Sequence, residues 1–402
     1  MFDSKPQGLP LPGRFVNWEE ISDFRSVFLV SNSIRSTPSG PLVGLRVIEM
    51  AGLGPTPFAA MLLADLGADV VRIERPNANA LIPQRPDFLN RSRRFVTLDL
   101  KTDVDRALAL NLIVQADALI EGMRPGVMEK LGLGPDEVAR RNPALVYGRM
   151  TGWGQTGPLA HTAGHDINYI AITGALHAIG GTEAPVPPLN LVGDFGGGSL
   201  YLVMGMLAAM LHAQKTGQGQ VVDAAIVDGT LSLMSIIYSM AHSGLWADHR
   251  ATNLLDGGAP FYSVYRCEDG KHLSVGALEP QFYAAFVSGL GLDHTELPPQ
   301  LDRAGWDELR AIFAARIAEK PRAVWETIFA GTDACVAPVL NMTEAAEHPQ
   351  IMARNLFVAA GGAAQPAPAP HLSATPGAIQ QVNVETPQDP QEILATWAKE
   401  RA

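Results

Sequence analysis

The sequence predicts an α/β protein in which helices cover a parallel sheet and a smaller α+β domain follows. Between residues 46 and 121, short runs rich in Val and Ile alternate with helical stretches, a βαβ order that is typical of parallel sheets. After Gly257, two alternating runs flank a turn, which indicates an antiparallel hairpin. The chain also has 402 residues and 47% hydrophobic content, enough to form two hydrophobic cores.

The first predicted elements alternate between strand and helix. The strands are at 46–50, 69–73 and 118–121, and the helices are at 58–66 and 104–115. This alternation is the reason for expecting parallel strands, because each helix can carry the chain back to the start of the sheet.

The later elements have a different pattern. Strands at 261–267 and 271–277 enclose the turn Glu268-Asp269-Gly270, and helices follow. From Pro338 onwards, a Pro- and Ala-rich composition predicts coil up to a last short helix at 392–398. We therefore expect a weakly ordered extension at 1–40, a large domain at 41–225, linker helices at 226–258, a small α+β domain at 259–336 and a return to the large domain at 337–402.

Composition argues against several classes of protein and of partner. The formal net charge is −11, whereas nucleic acids and anionic membranes recruit basic proteins, so we expect neither as a partner. The two cysteines, Cys267 and Cys335, have no C-x-x-C spacing, which argues against a disulfide framework or a structural metal site and favours the cytoplasm. The apolar run at 199–213 is shorter than a membrane span and predicts a buried core helix.

Two features of the first half raise the question of phosphate binding. A predicted strand is followed by Gly52-Leu53-Gly54-Pro55-Thr56-Pro57. Pro57 stands where a dinucleotide-binding fingerprint has its third glycine, and the prolines favour a helix start.

Residues 72–101 carry seven basic side chains against three acidic ones. The basic residues are Arg72, Arg75, Arg85, Arg91, Arg93, Arg94 and Lys101. Such a cluster can hold phosphates, although a solvated face has the same composition.

Six phrases of the sequence carry a family resemblance. The first three are GLRVIEMAGLGPTPFAAMLLADLGADVVRIERP (44–76), NRSRRFVTLDLK (90–101) and EGMRPGVMEKLGLG (121–134). The others are TGWGQTGPLAHTAGHDINYIAITGALHAIG (151–180), PPLNLVGDFGGGSLYL (187–202) and GALEPQFYAAFVSGLGL (276–292). The first three resemble the family III CoA-transferases, also called the CaiB/BaiF family, and the others resemble its branch that racemises 2-methylacyl-CoA thioesters. The resemblance to the family does not extend to residues 1–40.

The resemblance implies an interlaced homodimer whose subunits each have a Rossmann-like large domain and a small domain. The active site would lie between the large domain of one subunit and the small domain of its partner. Coenzyme A would lie along the large domain as part of an acyl-CoA substrate, without a further cofactor. By motif position, the CoA contacts implied are Arg75, Asp99, Leu100, Lys101 and Arg124. Tyr169 and Asn190 lie inside the racemase motifs and are implied as supporting groups of the same binding site.

Inverting a carbon requires a base on one of its faces and an acid on the other. By resemblance, His165 in AGHDINY and Asp194 in LVGDFGGG match the acid/base pair of the family. Histidine titrates near neutral pH, so this residue type can play both parts, whereas a carboxylate needs a raised pKa, which burial would supply. The glycines after Asp194 suggest either an open loop whose N–H groups bind the enolate oxygen or a tight turn.

Each of these residues also has a purely structural interpretation. A lone histidine is often a hydrogen-bonded core residue, and Asp194 could shape a loop or cap the helix that follows. The resemblance implies that Glu279 pairs with the catalytic histidine, but a helix-start acid before Pro280 explains it too. His161 and His165 lack the H-E-x-x-H pattern, so we expect no metal.

The alternative function within the family is CoA transfer between carboxylic acids. In that reaction Asp194 would act as a nucleophile and form covalent adducts. A transferase needs no second proton-transfer group at the position of His165. The presence of this histidine therefore favours racemisation.

Overall fold

The computed structural model describes residues 38–77, 87–380 and 386–401. The predicted N-terminal extension at 1–40 therefore lies almost entirely outside the described residues. Its last residues are described, and there the Ser39 hydroxyl donates a hydrogen bond to the Pro376 carbonyl at 2.8 Å. The described end of this segment thus contacts the C-terminal part of the chain.

Six parallel strands form the large sheet. They are β1 (Arg46–Met50), β2 (Asp69–Glu74), β3 (Arg94–Thr97), β4 (Ala118–Glu121), β5 (Val146–Thr151) and β6 (Val221–Ala225). Their order is β3-β2-β1-β4-β5-β6, and every neighbouring pair is parallel. The order reverses between β1 and β4, and open parallel sheets bind ligands at the carboxyl ends of the strands beside such a point. The predicted α/β class is confirmed.

The helices of this part of the chain cover both faces of the large sheet. They are α1 (Pro55–Asp65), α2 (Asp103–Val114), α3 (Val127–Lys130), α4 (Pro135–Arg141), α5 (Asp166–Ile172), α6 (Ala175–Ala178), a π-helix (Leu191–Ser199), α7 (Leu200–Thr216), α8 (Ile226–Leu233) and α9 (Ser235–His242). Helix α1 begins earlier than predicted because Pro55 takes its first position, where a missing N–H costs nothing. Helices α1 and α7 bury Leu63 and Met206 against one face.

The small sheet is antiparallel and has three strands, β7 (Tyr262–Arg266), β8 (His272–Gly276) and β9 (Val336–Val339). Helices α10 (Pro280–Gly289), α11 (Trp306–Ile317) and α12 (Arg322–Phe329) pack on it around a separate aromatic core. The predicted hairpin is confirmed. Strand β9 runs past residue 336, where the small domain was expected to end, and the domain boundaries themselves stay a prediction.

The coil predicted after Pro338 is wrong for much of its length. The last helix, predicted at 392–398, is confirmed as α15 (Pro390–Arg401). Before it, where coil was predicted, lie helices α13 (Met342–Glu347) and α14 (Pro349–Ala353) and a hairpin of β10 (Phe357–Ala360) and β11 (Ala363–Pro366). Local capping outweighs composition: the Asn341 side chain accepts the Glu344 N–H, and the Glu344 carboxylate accepts the Asn341 N–H. Helix α15 covers the second face of the large sheet, where Trp397 is fully buried.

One helical run in the described part of the chain, Leu191–Thr216, is long and apolar enough to cross a membrane. It consists of the π-helix and α7. Leu202, Met206 and Met210 of α7 are buried beside the large sheet. The apolar run at 199–213 is therefore part of a core helix, as predicted.

Most of the basic cluster serves the fold. Glu49 of β1 is fully buried and pairs with Arg72 and with Arg93, each at 2.7 Å. Arg91 pairs with Asp65 at 2.5 Å, and Arg94 pairs with Asp69. Because burying one partner of such a pair alone is very costly, these arginines are held by the protein's own carboxylates. These four arginines are therefore neither phosphate ligands nor a solvated face, and CoA binding by Arg75 and Lys101 stays a prediction.

Candidate active site

Asp194 lies near the centre of the π-helix, at the carboxyl end of β1. A Cβ added to Gly54, in the loop after β1, would lie 2.9 Å from Asp194 Oδ2. His165 directly precedes α5 and is exposed. It lies close enough to Asp194 for its positive charge to favour the ionised carboxylate. The structure therefore brings the two predicted acid/base residues together within one chain.

The π-helix packs unusually close to its neighbours, and its glycines make this possible. A Cβ on Gly229 of α8 would lie 1.8 Å from the Gly197 carbonyl oxygen. The Ser199 hydroxyl lies 2.8 Å from the Pro55 carbonyl oxygen and 2.9 Å from that of Asp194. Short π-helical segments occur frequently at functional sites. Backbone packing on α1 and α8 thus fixes the turn that carries Asp194.

The Asp194 carboxyl has a pKa raised to about 6. Burial is the largest cause, because it removes water from the charged form, and the negative charge of Asp166 is the second. The Asn190 side chain and the charge of His165 oppose this shift. Near neutral pH, Asp194 can therefore exist in both its ionised and its protonated form, as an acid/base group requires.

Asp166 is a functional candidate that the sequence reasoning missed. It is buried at the first position of α5, and its Oδ1 accepts the Asp194 N–H at 2.6 Å. The Gly193 N–H also donates to this carboxylate. The signal available in the sequence was its place beside His165 in AGHDINY, but only the fold shows what it contacts.

Tyr169 and Asn190 both lie beside the acid/base pair. The Tyr169 hydroxyl donates to the Gly164 carbonyl, and its ring meets Trp153 edge-on with centroids 4.8 Å apart. Burial, with the charge of Asp194, raises the pKa of Tyr169. These contacts place Tyr169 in the wall of the site. Its role as a CoA contact stays a prediction, as does that of Asn190.

Glu279 lies apart from these groups in the small-sheet region. It is exposed immediately before α10, and its side chain makes no capping hydrogen bond. Burial raises the pKa of the nearby Cys335 thiol, and the charges of Glu279 and Asp333 add to this shift. Among the described residues of one chain, Glu279 is not one of the charges that act on Asp194.

The residues implied as CoA contacts follow the carboxyl ends of three strands. Arg75 follows β2, Asp99 to Lys101 follow β3, and Arg124 follows β4. Arg75, Lys101 and Arg124 are exposed. Asp99 is tied locally: its N–H donates to Asp105 at 2.7 Å and its Oδ1 accepts the Lys101 N–H at 3.1 Å. Of the basic cluster, Arg75 and Lys101 remain for a ligand, and Arg85 lies outside the described residues.

The open loop suggested after Asp194 is not present, because those glycines belong to the π-helix. The N–H groups of Gly193 and Asp194 donate to Asp166. The Phe195 N–H donates to the Asn190 carbonyl at 3.2 Å. These three amides are therefore already engaged, and the structure does not support their use as donors to an enolate oxygen.

The chain is similar to several known proteins. The model of the family described as CoA-transferase family III matches residues 42–388. An alpha-methylacyl-CoA racemase of Mus musculus is 46% identical over 337 residues, covering 83% of this chain and 87% of that protein. The Homo sapiens racemase is 45% identical with the same coverage. An acetyl-CoA:oxalate CoA-transferase of Acetobacter aceti is 32% identical, covering 82% of this chain and 88% of that protein.

A solved structure shows the same fold. A CaiB/BaiF family protein from Brucella suis superposes with a TM-score of 0.75, covering 89% of this chain and 100% of that one. Its sequence is 23% identical to this chain, so the likeness concerns the fold alone.

Replacing Gly54 by alanine should displace the Asp194 carboxylate. Gly54 has φ 63° and ψ −108°, a conformation that costs a residue with a side chain about 1–3 kcal/mol, and the new Cβ would stand 2.9 Å from Asp194 Oδ2. Gly217→Ala is the control, because Gly217 has φ 73° but open space where the Cβ would go. Both variants should unfold at lower temperature. A crystal structure of Gly54→Ala with Asp194 in its original place would contradict the proposed contact.

Proposed function

The chain belongs to CoA-transferase family III, and on that premise we propose that it is an α-methylacyl-CoA racemase that interconverts (R)- and (S)-2-methylacyl-CoA thioesters. The observation that carries the proposal is the pairing of His165 with a half-buried Asp194 that can hold or release a proton near neutral pH. The 45–46% identity to racemases over most of the chain supports it.

The proposed reaction moves one proton off the α-carbon and one proton onto it. One of the two groups, as a base, takes the α-proton, and the electron pair left on carbon spreads onto the thioester oxygen as an enolate. The other group, protonated beforehand, returns a proton to the opposite face. Because the thioester carbonyl itself accepts the electron pair, the proposed reaction needs no further cofactor. Asp194 serves in both directions because its pKa of about 6 makes both forms accessible.

The alternative, CoA transfer, makes a different demand on Asp194. A nucleophilic carboxylate must be ionised to attack the thioester, and it needs a second carboxylic acid to receive CoA. With a pKa of about 6, Asp194 supplies the ionised form for either reaction, but a transferase needs no second proton-transfer group at the position of His165. Identity to the CoA-transferase of Acetobacter aceti is also lower, at 32%. These observations favour racemisation.

We place the CoA part of the substrate along the carboxyl ends of β2, β3 and β4. Arg75, Lys101 and Arg124 are exposed there, and basic side chains bind phosphate oxygens through charge-assisted hydrogen bonds. Asp99 and Leu100 would support the same segment through backbone contacts. In this arrangement the thioester reaches Asp194, which lies beside the loop after neighbouring strand β1.

A homodimer would complete the site with Glu279 of the partner subunit. Helix α9 has no buried residue in the single chain, and its Ile236 and Tyr238 are 59% and 52% exposed. Exposed apolar side chains grouped on one helix are typical of a surface that another chain covers. Glu279 would then reach His165, orient its ring and stabilise its charged form.

We place the enzyme in the cytoplasm, and its two free cysteines support this location. We propose that it acts without a membrane or a nucleic acid as a partner.

Replacing either residue of the acid/base pair should show which face of the α-carbon each residue serves. His165→Ala and Asp194→Asn should each reduce racemisation by about 10²–10⁴-fold, the usual effect of losing a positioned acid or base. The surviving group can still remove and return a proton on its own side. In deuterated water, each variant should therefore exchange the α-proton of one enantiomer, with opposite preferences in the two variants. The same residual preference in both would contradict the assignment of two bases.

Mixed dimers should show whether Glu279 acts across subunits. If His165 of one subunit works with Glu279 of the other, a dimer of one His165→Ala chain and one Glu279→Ala chain contains one site with both substitutions and one intact site. Mixing the two weakly active variants and allowing subunits to exchange should then restore racemase activity. Mixed dimers that form, as shown by differently tagged chains, yet stay as inactive as the parent variants would contradict the shared site.

A further inference from the structure

Asp166 is a buried carboxylate for which the proposed reaction has no direct use. It begins α5 immediately after His165 and is 9% exposed. Its Oδ1 accepts the Asp194 N–H at 2.6 Å, and the carboxylate also accepts the Gly193 N–H. No ion pair joins it to another side chain in the described ranges. A buried carboxylate without a cation is costly, so its presence at this position calls for an explanation.

Its contacts join the two segments that carry the acid/base pair. One end of the link is the start of α5, where His165 stands, and the other is the π-helix at Asp194. The fit is tight, because a Cβ on Gly193 would lie 2.3 Å from Asp166 Oδ1. Asp166 therefore links the start of α5, where His165 stands, directly to the backbone of Asp194.

The carboxylate also sets the electrostatic surroundings of Asp194. Asp166, His165 and Tyr169 are the titratable groups of α5 and its cap that interact with Asp194. Helices α1 and α7 begin beside the π-helix and carry charged side chains only in their last turns. On α8, the exposed Asp228 interacts with Asp223 rather than with Asp194. Asp166 is thus the source of negative charge acting on Asp194 in the described part of the chain.

We propose that Asp166 is a positioning residue for the acid/base pair, which by its hydrogen bonds holds the backbone of Asp194 beside His165 and places a negative charge next to the Asp194 carboxyl. This inference rests on the proposed racemase function. It assigns two separable effects to one side chain. The hydrogen bonds fix the geometry, and the negative charge disfavours a second negative charge on Asp194.

Two substitutions separate these effects. Asp166→Asn keeps an oxygen that can accept the backbone N–H groups but removes the charge, whereas Asp166→Ala removes both. In Asp166→Ala, misplacement of Asp194 should lower racemisation by about 100-fold. In Asp166→Asn, the turnover at high pH should fall much less, and the pKa of Asp194 should decrease because its main charged neighbour is gone.

The pH dependence is best measured in a His165→Ala background, where Asp194 alone exchanges the α-proton. Exchange then requires ionised Asp194, so its rate rises as pH rises through the pKa of this group. Adding Asp166→Asn should move this rise to lower pH. Adding Asp228→Asn instead, which removes a carboxylate from the exposed side of α8, should leave the pH of this rise unchanged. An unshifted profile for Asp166→Asn, or an equal shift for Asp228→Asn, would overturn the proposal.

A second readout does not depend on activity. The protonated carboxyl of Asp194 has an infrared C=O band that Asp194→Asn removes, and its titration can be followed without substrate. In Asp166→Asn this titration should also move to lower pH, and an unchanged titration would contradict the proposal. If the wild-type protein incorporates no α-deuterium, the racemase function fails, whereas this infrared titration still tests the action of Asp166 on Asp194.

Discussion

The close packing of backbone around the π-helix Leu191–Ser199 is the constraint on which the site depends. At Gly193, Gly197 and Gly198 an added Cβ would meet Asp166, Thr230 or Ile226 at less than 3 Å. This packing allows the turn to sit against both α5 and α8, and the stacking of Phe58 on Phe195 holds it against α1, with ring centroids 4.3 Å apart. Asp194 is therefore held by its main chain, and its carboxylate remains available for chemistry.

The electrostatics of the site contrast with those of the sheet beneath it. Within the sheet, buried Glu49 is neutralised by Arg72 and Arg93. At the site, Asp194 has another carboxylate, Asp166, as its main charged neighbour, and the pKa of Asp194 rises to about 6. An arginine in the same place would hold Asp194 permanently ionised. The lack of such a pair among the described residues around Asp194 suits a group that must gain and lose a proton in each turnover.

Sequence reasoning predicted the parts of the structure that depend on local pattern. The alternation of strands and helices predicted β1, β2 and β4, and the family motifs identified His165 and Asp194. The π-helix was missed because a run of glycines suggests a loop, and only the neighbours Gly229 and Asp166 show why this backbone must be helical and tightly packed. The ion pairs of the basic cluster could not be predicted, because the carboxylates that pair with its arginines lie mostly outside the cluster, on β1, β2 and α1, where only the fold brings them close.

The central claim is that His165 and Asp194 exchange protons with opposite faces of one α-carbon, without a second substrate. It is tested most directly by incubating the wild-type protein with one enantiomer of a 2-methylacyl-CoA in deuterated water, with no carboxylic acid added. Deuterium content and optical purity of the thioester are followed together. The account predicts α-deuterium in both enantiomers and loss of optical purity. Deuterium exchange that appears only after an acceptor acid is added would contradict it and support CoA transfer.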